Sequence, residues 1–501
     1  MSNAFASSAD AHELRILYEA VRRRDVRFDG RVFVSAAGAT TYCRPVCARP
    51  KPARRHCRLF RHAAAAEKAG LQPCPDCRPE LAPGDARAHP DPGVQATLAR
   101  LAARRIEDGA LDTLTLRRLA LEFGVSAATL RDAVVREFGF TPTEYARTQR
   151  LLNARQLLCE TRLPVSEVAR ATGFPSGARL GAVFRSRYGL APTALRRLAH
   201  TEPASHDPHV LSLRFDYRPP LNWPTLLTFL GARAIPGVET VIGNAYVRTV
   251  KIGDYRGWVK VAPDPDANGA AALRATMPVS LAPVCAAVLT KMKTVFDTRA
   301  NAADIDEHLA RDRLLRTAIG ANPGMRLPGA YDGFELLLRA ILGQQVSVKG
   351  ATTLAGRMAA TFGETLVTPF PALGFITPDP ARIAAASVGQ IAQIGMPGKR
   401  AQTIRTVARA AADGELALAP GSDPEVVRAQ LIAVPGIGEW TASYVAMRAL
   451  AWPDALPLGD LGIKKALGLT RPGDITARTQ AWRPWRAYGA IYCWLGLASG
   501  G

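Results

Sequence analysis

The stretch AVPGIGEWTASYVAMRAL, residues 433–450, places Pro-Gly-Ile-Gly between two runs of helical character. A turn of this kind leaves the backbone amides from Gly436 to Gly438 free at the start of a helix, where they can hold a phosphate. By itself the motif is weak, because most such sequences are plain turns. Asp460 follows twenty residues after Trp440, in ALPLGDLGIKKAL. Without the upstream turn, we would interpret Asp460 as the N-cap of the helix that follows it.

The turn and the aspartate together resemble the helix-hairpin-helix plus Gly/Pro-Asp signature of a DNA glycosylase superfamily. Within it, similarity to the AlkA-type 3-methyladenine DNA glycosylases runs from residue 210 to the end, through LNWPTLLTFLGARAIPGVETV, RLPGAYDGFELLLRAILGQQVSV, IGMPGKRA and WRPWRAY. The resemblance implies that Asp460 is catalytic and that Trp440 and Tyr444 line the base pocket, stacking on a flipped base. For these two aromatic residues the alternative is plain core packing.

The expected chemistry follows from the leaving group. An alkylated purine is already cationic, so its glycosidic bond needs little acid catalysis. A carboxylate beneath the sugar can stabilise the developing oxocarbenium charge and help to position water. Bifunctional superfamily members carry a lysine where this chain has Trp440, and that lysine cuts the strand through a Schiff base. We therefore expect base release without a lyase step. A monovalent cation at the hairpin stays an open expectation.

The same resemblance implies DNA contacts from Gln344, Gln345, Gly436 and Gly438. Two positions depart from the family pattern. Where the pattern has glutamine and then an apolar wedge that fills the gap left by the flipped base, this chain reads Gln344-Gln345, so the role of Gln345 as the wedge is open. Leu495 stands where the best-known form of the family has a tyrosine in the pocket. The range of substrates can therefore differ.

Four cysteines cluster near the start of the chain, in TTYCRPVCARP (40–50) and PCPDC (73–77). They form Cys-x3-Cys followed by Cys-x2-Cys, with 26 residues between the two pairs. Four thiolates at such spacings suit tetrahedral Zn²⁺. The alternative to a reactive zinc site is a purely structural one, which is the usual interpretation of paired cysteines.

The first cysteine pair lies in a strongly basic stretch. Between residues 30 and 66 there is no Asp or Glu, and eight cationic residues are present: Arg31, Arg44, Arg49, Lys51, Arg54, Arg55, Arg58 and Arg61. Such a surface is expected to face phosphate.

The segments FDGRVFVSAAGATTYCRPVCARP and AAAAEKAGLQPCPDCRPE resemble the N-terminal domain of the Ada family of DNA methyltransferases. This resemblance implies that Cys43 accepts a methyl group from a methylated DNA phosphate, once per molecule. Cys47, Cys74 and Cys77 would complete the coordination of one Zn²⁺ that is both structural and catalytic, and Arg44 would contact DNA. We interpret Cys57 as a spectator.

An internal repeat occupies the region after the cysteines. ALEFGVSAATLRDAVVREFGFTPTEY (120–145) and ARATGFPSGARLGAVFRSRYGLAPTAL (169–195) superimpose at an offset of 49 to 50 residues. In each copy a helical stripe ends at a glycine, and Ser126 or Ser176 can cap a second helix. The pattern predicts a helix-turn-helix, with an ordinary helical hairpin as the alternative. The repeat resembles the AraC-type DNA-binding domain, which implies two major-groove contacts, with Arg131 and Arg179 reaching DNA.

Charge and composition agree with a nucleic-acid partner. The chain has 501 residues, a net charge of +21 and a pI near 10.1, which favour a polyanion over an acidic small molecule. No apolar run reaches membrane-spanning length, and the first twenty residues lack an apolar signal segment. We expect a cytoplasmic, nucleoid-associated protein that binds alkylated and promoter double-stranded DNA, and RNA polymerase.

We therefore expect a multidomain fold that is mainly α with α+β parts. The expected modules are a small α/β zinc methyl-acceptor domain (1–81), a duplicated helix-turn-helix (94–198), an antiparallel β domain (210–284) and a helical helix-hairpin-helix glycosylase domain (285–501), with linkers at 82–93 and 200–209. The expected function is repair of alkylated DNA combined with damage-responsive transcription. The alternative is a non-enzymatic, zinc-dependent transcription regulator with a degenerate glycosylase fold.

Overall fold

The computed structural model describes residues 8–84, 93–198, 207–265 and 271–499. Most residues of the two predicted linkers lie outside these ranges. Across the four described ranges, no helix combines the length and the apolar character needed to cross a bilayer.

The cysteine-rich region is a small α/β unit. Its elements are α1 Ser8–Arg22, β1 Phe33–Ala36, β2 Thr41–Tyr42, β3 Cys57–Phe60, α2 Ala63–Lys68 and β4 Gln72–Pro73, with 3-10 turns at Val26–Phe28, Arg54–His56 and Pro79–Leu81. Strands β1 and β3 pair antiparallel. Strands β2 and β4 pair parallel, with Thr41 opposite Gln72 and Tyr42 opposite Pro73. The residues that follow β2 and β4 are therefore neighbours.

The repeat region is entirely helical within its described part. Its elements are α3 Gly93–Glu107, α4 Ala110–Thr113, α5 Leu116–Glu122, α6 Ala127–Phe138, α7 Pro142–Glu160, α8 Val165–Ala171, α9 Gly177–Tyr188 and α10 Pro192–Leu198. The pairs α5–α6 and α8–α9 are the two predicted helix-turn-helix copies, joined by the long helix α7.

The predicted caps of the second helices are present. The Ser126 hydroxyl accepts a hydrogen bond from the amide of Thr129, and the Ser176 hydroxyl accepts one from the amide of Arg179. The glycines that end the first helices have positive φ angles, +66° at Gly124 and +73° at Gly173. Both features were expected from the local sequence, because a cap and a left-handed turn each depend on neighbouring residues alone.

A five-stranded antiparallel sheet follows. Its elements are β5 Val210–Asp216, β6 Glu239–Ile242, β7 Ala245–Ile252, β8 Tyr255–Pro263 and β9 Ala272–Pro278, with helix α11 Trp223–Gly231 between β5 and β6. The strand order is β5-β9-β8-β7-β6. The first strand thus pairs with the last, so the sheet is complete only after the chain has returned past three intervening strands.

The rest of the described chain is helical apart from one short strand pair, β10 Glu364–Thr365 and β11 Phe375–Ile376. The helices are α12 Cys285–Val295, α13 Ala302–Leu309, α14 Arg313–Ala321, α15 Gly333–Leu342, α16 Val348–Phe362, α17 Pro380–Ala385, α18 Val388–Ala392, α19 Gly398–Ala412, α20 Pro424–Ile432, α21 Glu439–Arg448, α22 Leu461–Leu467, α23 Pro472–Arg478 and α24 Arg486–Ser499, with 3-10 turns at Val279–Val284 and Gln480–Trp482.

One hydrophobic core extends across several of these regions. It contains Phe184 of α9, Phe215 of β5, Val288 of α12 and Trp482 near the C-terminus, all almost fully buried. The second helix-turn-helix copy therefore packs on the sheet and the helical region. The first copy has a separate core with α3.

Ion pairs join regions that are distant in sequence. Arg299, in the loop after α12, contacts Glu107 at 3.0 Å and Asp108 at 3.3 Å, at the end of α3. Arg31 of the cysteine-rich unit contacts Asp304 of α13 at 3.1 Å. These contacts hold the cysteine-rich unit and the helix-turn-helix region against the C-terminal region.

Candidate functional site

The four predicted metal ligands come together in space. Cys43 follows β2 and Cys74 follows β4, so the parallel pairing of these strands places them side by side, and the amide of Cys74 donates to the carbonyl of Tyr42 at 3.0 Å. The sulfur atoms of Cys43, Cys47, Cys74 and Cys77 all lie within 4.8 Å of one another. Cys47 and Cys74 are buried, whereas Cys43 and Cys77 are partly exposed. The cluster therefore has an open side at Cys43 and Cys77.

This donor set fits Zn²⁺. Four thiols this close compete for protons: a hydrogen bond with Cys74 raises the pKa of Cys43 to about 12, and a hydrogen bond with Cys77 lowers the pKa of Cys47 to about 6. The four cannot all ionise next to one another without a compensating cation. A dication with a preference for four sulfur ligands supplies that charge, which is the coordination typical of protein zinc sites.

The four sulfur atoms differ in the backbone hydrogen bonds that they accept. The amide of Arg44 donates to Cys77 Sγ at 3.3 Å. Backbone hydrogen bonds from Arg49 to Cys47 and from the Cys77 turn to Cys74 favour the thiolates of those two residues. No backbone amide of the described residues donates to Cys43 Sγ. Of the two partly exposed cysteines, Cys77 accepts an amide hydrogen bond at its Sγ and Cys43 accepts none from the described residues.

The structure contradicts the predicted DNA contact of Arg44. Its side chain is 6% exposed, and its guanidinium pairs with Asp29 through Nε at 2.9 Å and with Asp216 of β5 through Nη1 at 2.8 Å. Burial disfavours an unpaired charge, so this cation is used to hold the cysteine-rich unit on the sheet. The sequence could not show this, because Asp216 is 172 positions away.

The basic stretch is less available to phosphate than its composition predicts. Four of its eight cations form ion pairs with acidic residues from outside the stretch: Arg31 with Asp304, Arg44 with Asp29 and Asp216, Arg49 with Asp76, and Arg61 with Glu13. Arg54, Arg55 and Arg58 are exposed. Acidic residues from other parts of the chain therefore neutralise half of the cations in this stretch.

The predicted DNA contacts of the repeat lie on exposed second helices. Arg131 is on α6, with its side chain about half exposed and 3.5 Å from Asp132. Arg179 is at the start of α9 and is exposed. Arg131 is the fifth residue after the cap Ser126, whereas Arg179 is the third residue after the cap Ser176, so the two arginines occupy different positions on the two second helices. Contact of these two arginines with DNA stays a prediction.

Asp460 caps helix α22 and also accepts two indole hydrogen bonds. Its Oδ1 accepts from the amide of Ile463 at 3.0 Å and from Trp494 Nε1 at 2.9 Å, and its Oδ2 accepts from Trp440 Nε1 at 2.9 Å. The N-cap interpretation of Asp460 is therefore confirmed, and the same carboxylate also accepts two side-chain hydrogen bonds. Its catalytic role stays a prediction. Sequence reasoning missed Trp494, since one tryptophan in an apolar C-terminal helix gives no spacing signal.

Asp460 and these indoles line a cavity of about 350 Å³ between the sheet and the helices. The rings of Trp440 and Tyr444, which also line it, stack on each other with centroids 5.2 Å apart and 10° between planes. Trp494 stacks on Phe229 at 6.4 Å. The cavity therefore has the aromatic walls that the sequence predicted, and part of their surface is used in packing.

Arginine side chains form the other wall of this cavity. Arg448 donates to the Tyr444 hydroxyl at 2.7 Å. Burial raises the pKa of Tyr444, but the positive charges of Arg448 and Arg233 outweigh it, so the pKa is lowered overall. Arg233 and Arg339 also line the cavity, and neither pairs with a carboxylate in the part of the chain that the structure describes. The groups of this cavity that can attract a cation are its aromatic faces and the carboxylates of Asp460, Glu239 and Glu335.

The predicted hairpin joins α20 and α21. Gly436 has φ +92°, and a Cβ there would lie 2.3 Å from Thr403 Oγ1, so only glycine fits. Gly438 is exposed and is the N-cap of α21. Gln344, between α15 and α16, is attached to this hairpin: its Nε2 donates to the carbonyl of Gly436 at 3.0 Å.

Two departures from the family pattern lie near the cavity. Gln345 is exposed in the turn between α15 and α16, where its neighbours Gly343 and Val346 line the cavity. Leu495 is partly buried and packs on the main core from α24. Leu495 is not among the side chains that line the cavity, whereas the adjacent Trp494 is.

Four family models match successive segments of the chain. They are the metal binding domain of Ada at 16–80, a helix-turn-helix domain at 119–198, the AlkA N-terminal domain at 212–332 and the HhH-GPD superfamily of base excision DNA repair proteins at 338–483. The predicted resemblances and the multidomain fold class are confirmed. The AlkA N-terminal model extends past the predicted boundary at 284 into the helices.

Similar proteins cover either the C-terminal part or nearly all of the chain. DNA-3-methyladenine glycosylase 2 of Escherichia coli is 38% identical over 56% of this chain and 95% of that protein. A solved 3-methyladenine DNA-glycosylase from Archaeoglobus fulgidus, 18% identical, aligns over 56% of this chain and 97% of that chain with a TM-score of 0.48. The probable bifunctional transcriptional activator/DNA repair enzyme AlkA of Mycobacterium tuberculosis is 35% identical over 96% of this chain and 96% of that protein. This chain therefore belongs to the family of AlkA-type bifunctional transcriptional activators and DNA repair enzymes.

Proposed function

We propose that this protein repairs alkylated DNA by two separate chemistries and regulates transcription in response to the damage. Cys43 accepts a methyl group from methylated DNA phosphates, the C-terminal region hydrolyses the glycosidic bond of alkylated purines, and the helix-turn-helix pair binds promoters. The modules are those predicted above, at 1–81, 94–198, 210–284 and 285–501. The observation that carries the proposal is the carboxylate of Asp460, held by three N–H donors at the wall of an aromatic cavity.

Asp460 acts mainly through its charge. A carboxylate has about four acceptor positions, and three of them are used by Ile463, Trp494 and Trp440. These bonds fix the carboxylate where positive charge develops on the sugar as the glycosidic bond breaks, so they organise the transition-state interaction in advance. The position left on Oδ2 can hold the attacking water.

The leaving base occupies the cavity beside Trp440 and Tyr444. Its ring is held by the aromatic faces, which favour an electron-poor alkylated purine over a normal one. The base leaves with the electron pair of the glycosidic bond and, when it is cationic, departs as a neutral molecule. No acid is needed for this step. The two other carboxylates that line the cavity, Glu239 and Glu335, are paired with Arg248 at 3.7 and 2.7 Å.

Strand cleavage is not part of the proposal. A lyase step requires an amine that attacks the sugar carbon, and the position of the superfamily's lysine is occupied by Trp440. Its indole N–H is bonded to Asp460. The two nearest lysines in sequence, Lys464 and Lys465, lie in the last turn of α22. Water is therefore the nucleophile, and the product is an intact strand with an abasic site.

In the methyl transfer, the thiolate of Cys43 attacks the methyl carbon of a phosphotriester. A sulfur–carbon bond forms, the carbon–oxygen bond breaks, and the oxygen retains the electron pair as an ordinary phosphodiester. Zn²⁺ supplies the positive charge that keeps the thiols ionised at neutral pH. Amide hydrogen bonds hold Cys47, Cys74 and Cys77 as ligands, whereas Cys43 is partly exposed and free of them. The product is a stable thioether, so the reaction occurs once.

Transcription control is assigned to the helix-turn-helix pair. The exposed arginines Arg131 and Arg179 are proposed to reach DNA from the second helices of the two copies, and RNA polymerase is the proposed partner at the promoter. At the hairpin of the glycosylase region, Gly436 and Gly438 are proposed to hold a DNA phosphate through their free amides. A monovalent cation at this hairpin remains part of the proposal.

One experiment tests both reactions. The zinc-loaded protein is incubated with DNA that carries methyl phosphotriesters and alkylated purines, and the free bases and the protein mass are then measured. We expect release of alkylated purine together with a gain of one methylene mass unit, located on Cys43 by peptide mapping. Absence of both products would support the alternative of a non-enzymatic zinc-dependent regulator.

A further inference from the structure

Gln345 is at the tip of the turn between α15 and α16, at the rim of the base cavity. Gly343, Val346 and Val348 of this turn line the cavity, and the two valines are 40% and 47% exposed. The side chain of Gln345 is exposed as well. An exposed polar side chain thus lies next to the apolar residues with which this turn lines the cavity.

The other glutamine of the turn is already committed to the protein. Gln344 Nε2 donates to the carbonyl of Gly436 at 3.0 Å and to Thr441 Oγ1 at 3.1 Å, and the Gln344 carbonyl accepts from Arg400 at 2.7 Å. Gln344 therefore anchors the turn to the hairpin. The side chain of Gln345 makes no hydrogen bond within the described ranges, so its amide is available to a partner.

The backbone of Gln345 is strained. Its φ is +56°, in the left-handed region that is unfavourable for residues with a long side chain. The turn is fixed on both sides, by Gln344 before it and by Ser347 after it, whose Oγ accepts from the amide of Gly350 at 3.1 Å. Glycine would adopt this conformation without strain. A strained residue with a long side chain at the rim of a cavity motivates a functional hypothesis for that side chain.

We infer that Gln345 reads the base opposite the lesion. This inference rests on the proposed base excision, because only a flipped lesion leaves its partner unpaired in the duplex. An apolar wedge fills that gap and does no more. A glutamine amide has two N–H donors and a carbonyl acceptor, and thymine and cytosine each present a donor beside an acceptor on the edge that has lost its partner.

The consequence is a dependence on the hydrogen-bonding groups of the opposite base. If that base lacks them, the amide of Gln345 loses its bonds to water without gaining new ones, which weakens the complex. If that base is thymine, the amide is satisfied. Gln345 would thus give this chain a preference that depends on chemistry and not only on the size of the opposite base.

The test compares two duplexes that carry the same alkylated adenine, opposite thymine or opposite difluorotoluene, a thymine-shaped analogue without hydrogen-bonding groups. Base release by the full-length protein is measured in a single turnover. Affinity is measured separately on duplexes with a stable abasic-site analogue opposite the same two partners. For the wild-type chain we expect about tenfold better release and binding opposite thymine, which corresponds to ~1.4 kcal/mol.

Three variants sharpen the test. Gln345→Leu should release base from the two duplexes at equal rates and bind them with equal affinity. Gln345→Gly should give the same result without any effect on folding, because glycine adopts a positive φ without strain. Gln393→Leu changes an exposed glutamine elsewhere and should keep the preference. Equal affinity of the wild-type protein for both abasic duplexes, or a preference retained by Gln345→Leu, would overturn the inference. The wild-type protein could also release no base and yet bind the abasic duplex with thymine more tightly than the one with difluorotoluene. That result would contradict the proposed glycosylase reaction and still support recognition of the opposite base by Gln345.

Discussion

Cys43 and Asp460, the two proposed reactive groups, differ in the hydrogen bonds that they accept. Asp460 accepts three N–H hydrogen bonds, whereas Cys43 Sγ accepts none from the described backbone amides, although its fellow ligand Cys77 does. A group that stabilises charge benefits from being fixed, and a group that forms a bond needs its electron pair. The difference in hydrogen bonding is therefore the one that the two proposed roles, electrostatic catalyst and nucleophile, require.

The same contrast applies to turnover. Asp460 forms no covalent bond in the proposed reaction, so its surroundings are unchanged after the base leaves, and the site can act again. Cys43 ends as a thioether, and the group that made it reactive is lost. In the proposed reactions the first site therefore acts repeatedly and the second acts once, as a signalling role for the methylated cysteine would require.

The largest expected effect is that of Cys43→Ser on methyl uptake. A serine hydroxyl stays protonated at neutral pH and is a poor nucleophile, so transfer from phosphotriesters should stop completely. The measurement is the protein mass after incubation with methylated DNA. Cys57→Ser, in the adjacent strand β3, is the matched control and should still take up one methyl group. Continued methylation of the Cys43→Ser chain would point to Cys77, the other partly exposed sulfur.

Asp460→Asn should lower the rate of base release by at least ~10² while zinc content and methyl uptake remain. The substitution removes the negative charge, and the asparagine NH₂ can no longer accept the indole bond where Oδ2 does now. Single-turnover release of alkylated adenine measures the loss, with methyl transfer by the same preparation as the internal control. A release rate near that of the wild type would remove Asp460 from the mechanism.

Trp494→Phe should slow base release about tenfold, or ~1.4 kcal/mol, because it removes one of the three donors that position Asp460 and keeps an aromatic ring. Rescue would not be expected from a higher substrate concentration, since the effect lies in the chemical step. Trp258→Phe, on strand β8, is the matched control and should be silent. If both variants behave alike, the indole bond of Trp494 does not contribute.

Methylation of Cys43 should strengthen operator binding by up to about tenfold at low salt. The zinc site with four thiolates carries a charge of about −2, which falls to about −1 when Cys43 becomes a thioether, so repulsion of phosphate decreases. The gain is limited because four of the eight basic residues are ion-paired. Affinities of the unmodified and methylated chains, measured over a salt series, decide the matter. Equal affinities at low salt would leave Cys43 as a repair nucleophile only.

The last prediction is a negative result in a trapping experiment. Borohydride added during base release should trap no covalent protein–DNA complex, because Trp440 stands where a Schiff-base lysine would be. A known bifunctional glycosylase provides the positive control on the same DNA. Efficient trapping would reverse the assignment, and mapping of the cross-link would then examine Lys464 and Lys465.

Local sequence was enough wherever a feature depends on neighbouring residues. The serine caps of α6 and α9, the left-handed glycines before them and the pairs of cysteines were all predicted, since each needs only a few consecutive positions. The strand pairing of β5 with β9 and the attachment of Gln344 to the hairpin were not predicted from pattern, because they join segments that are tens of residues apart. Arg44 shows that composition cannot tell whether a charge is available to a ligand, because its two ion-pair partners lie 15 and 172 positions away.

The sequence by itself determined the chemistry that is present: four sulfur donors at zinc spacing, a duplicated helix-turn-helix, and an aspartate behind a glycine hairpin, each encoded in a short run of residues. The tertiary structure decided which of these groups form hydrogen bonds or ion pairs, and with which partners. It brings Trp494 to Asp460 across 34 positions, buries Arg44 against the sheet and leaves Gln345 exposed at the cavity rim. The physical reason is that hydrogen bonds and ion pairs depend on distance in space, which only the packed chain defines.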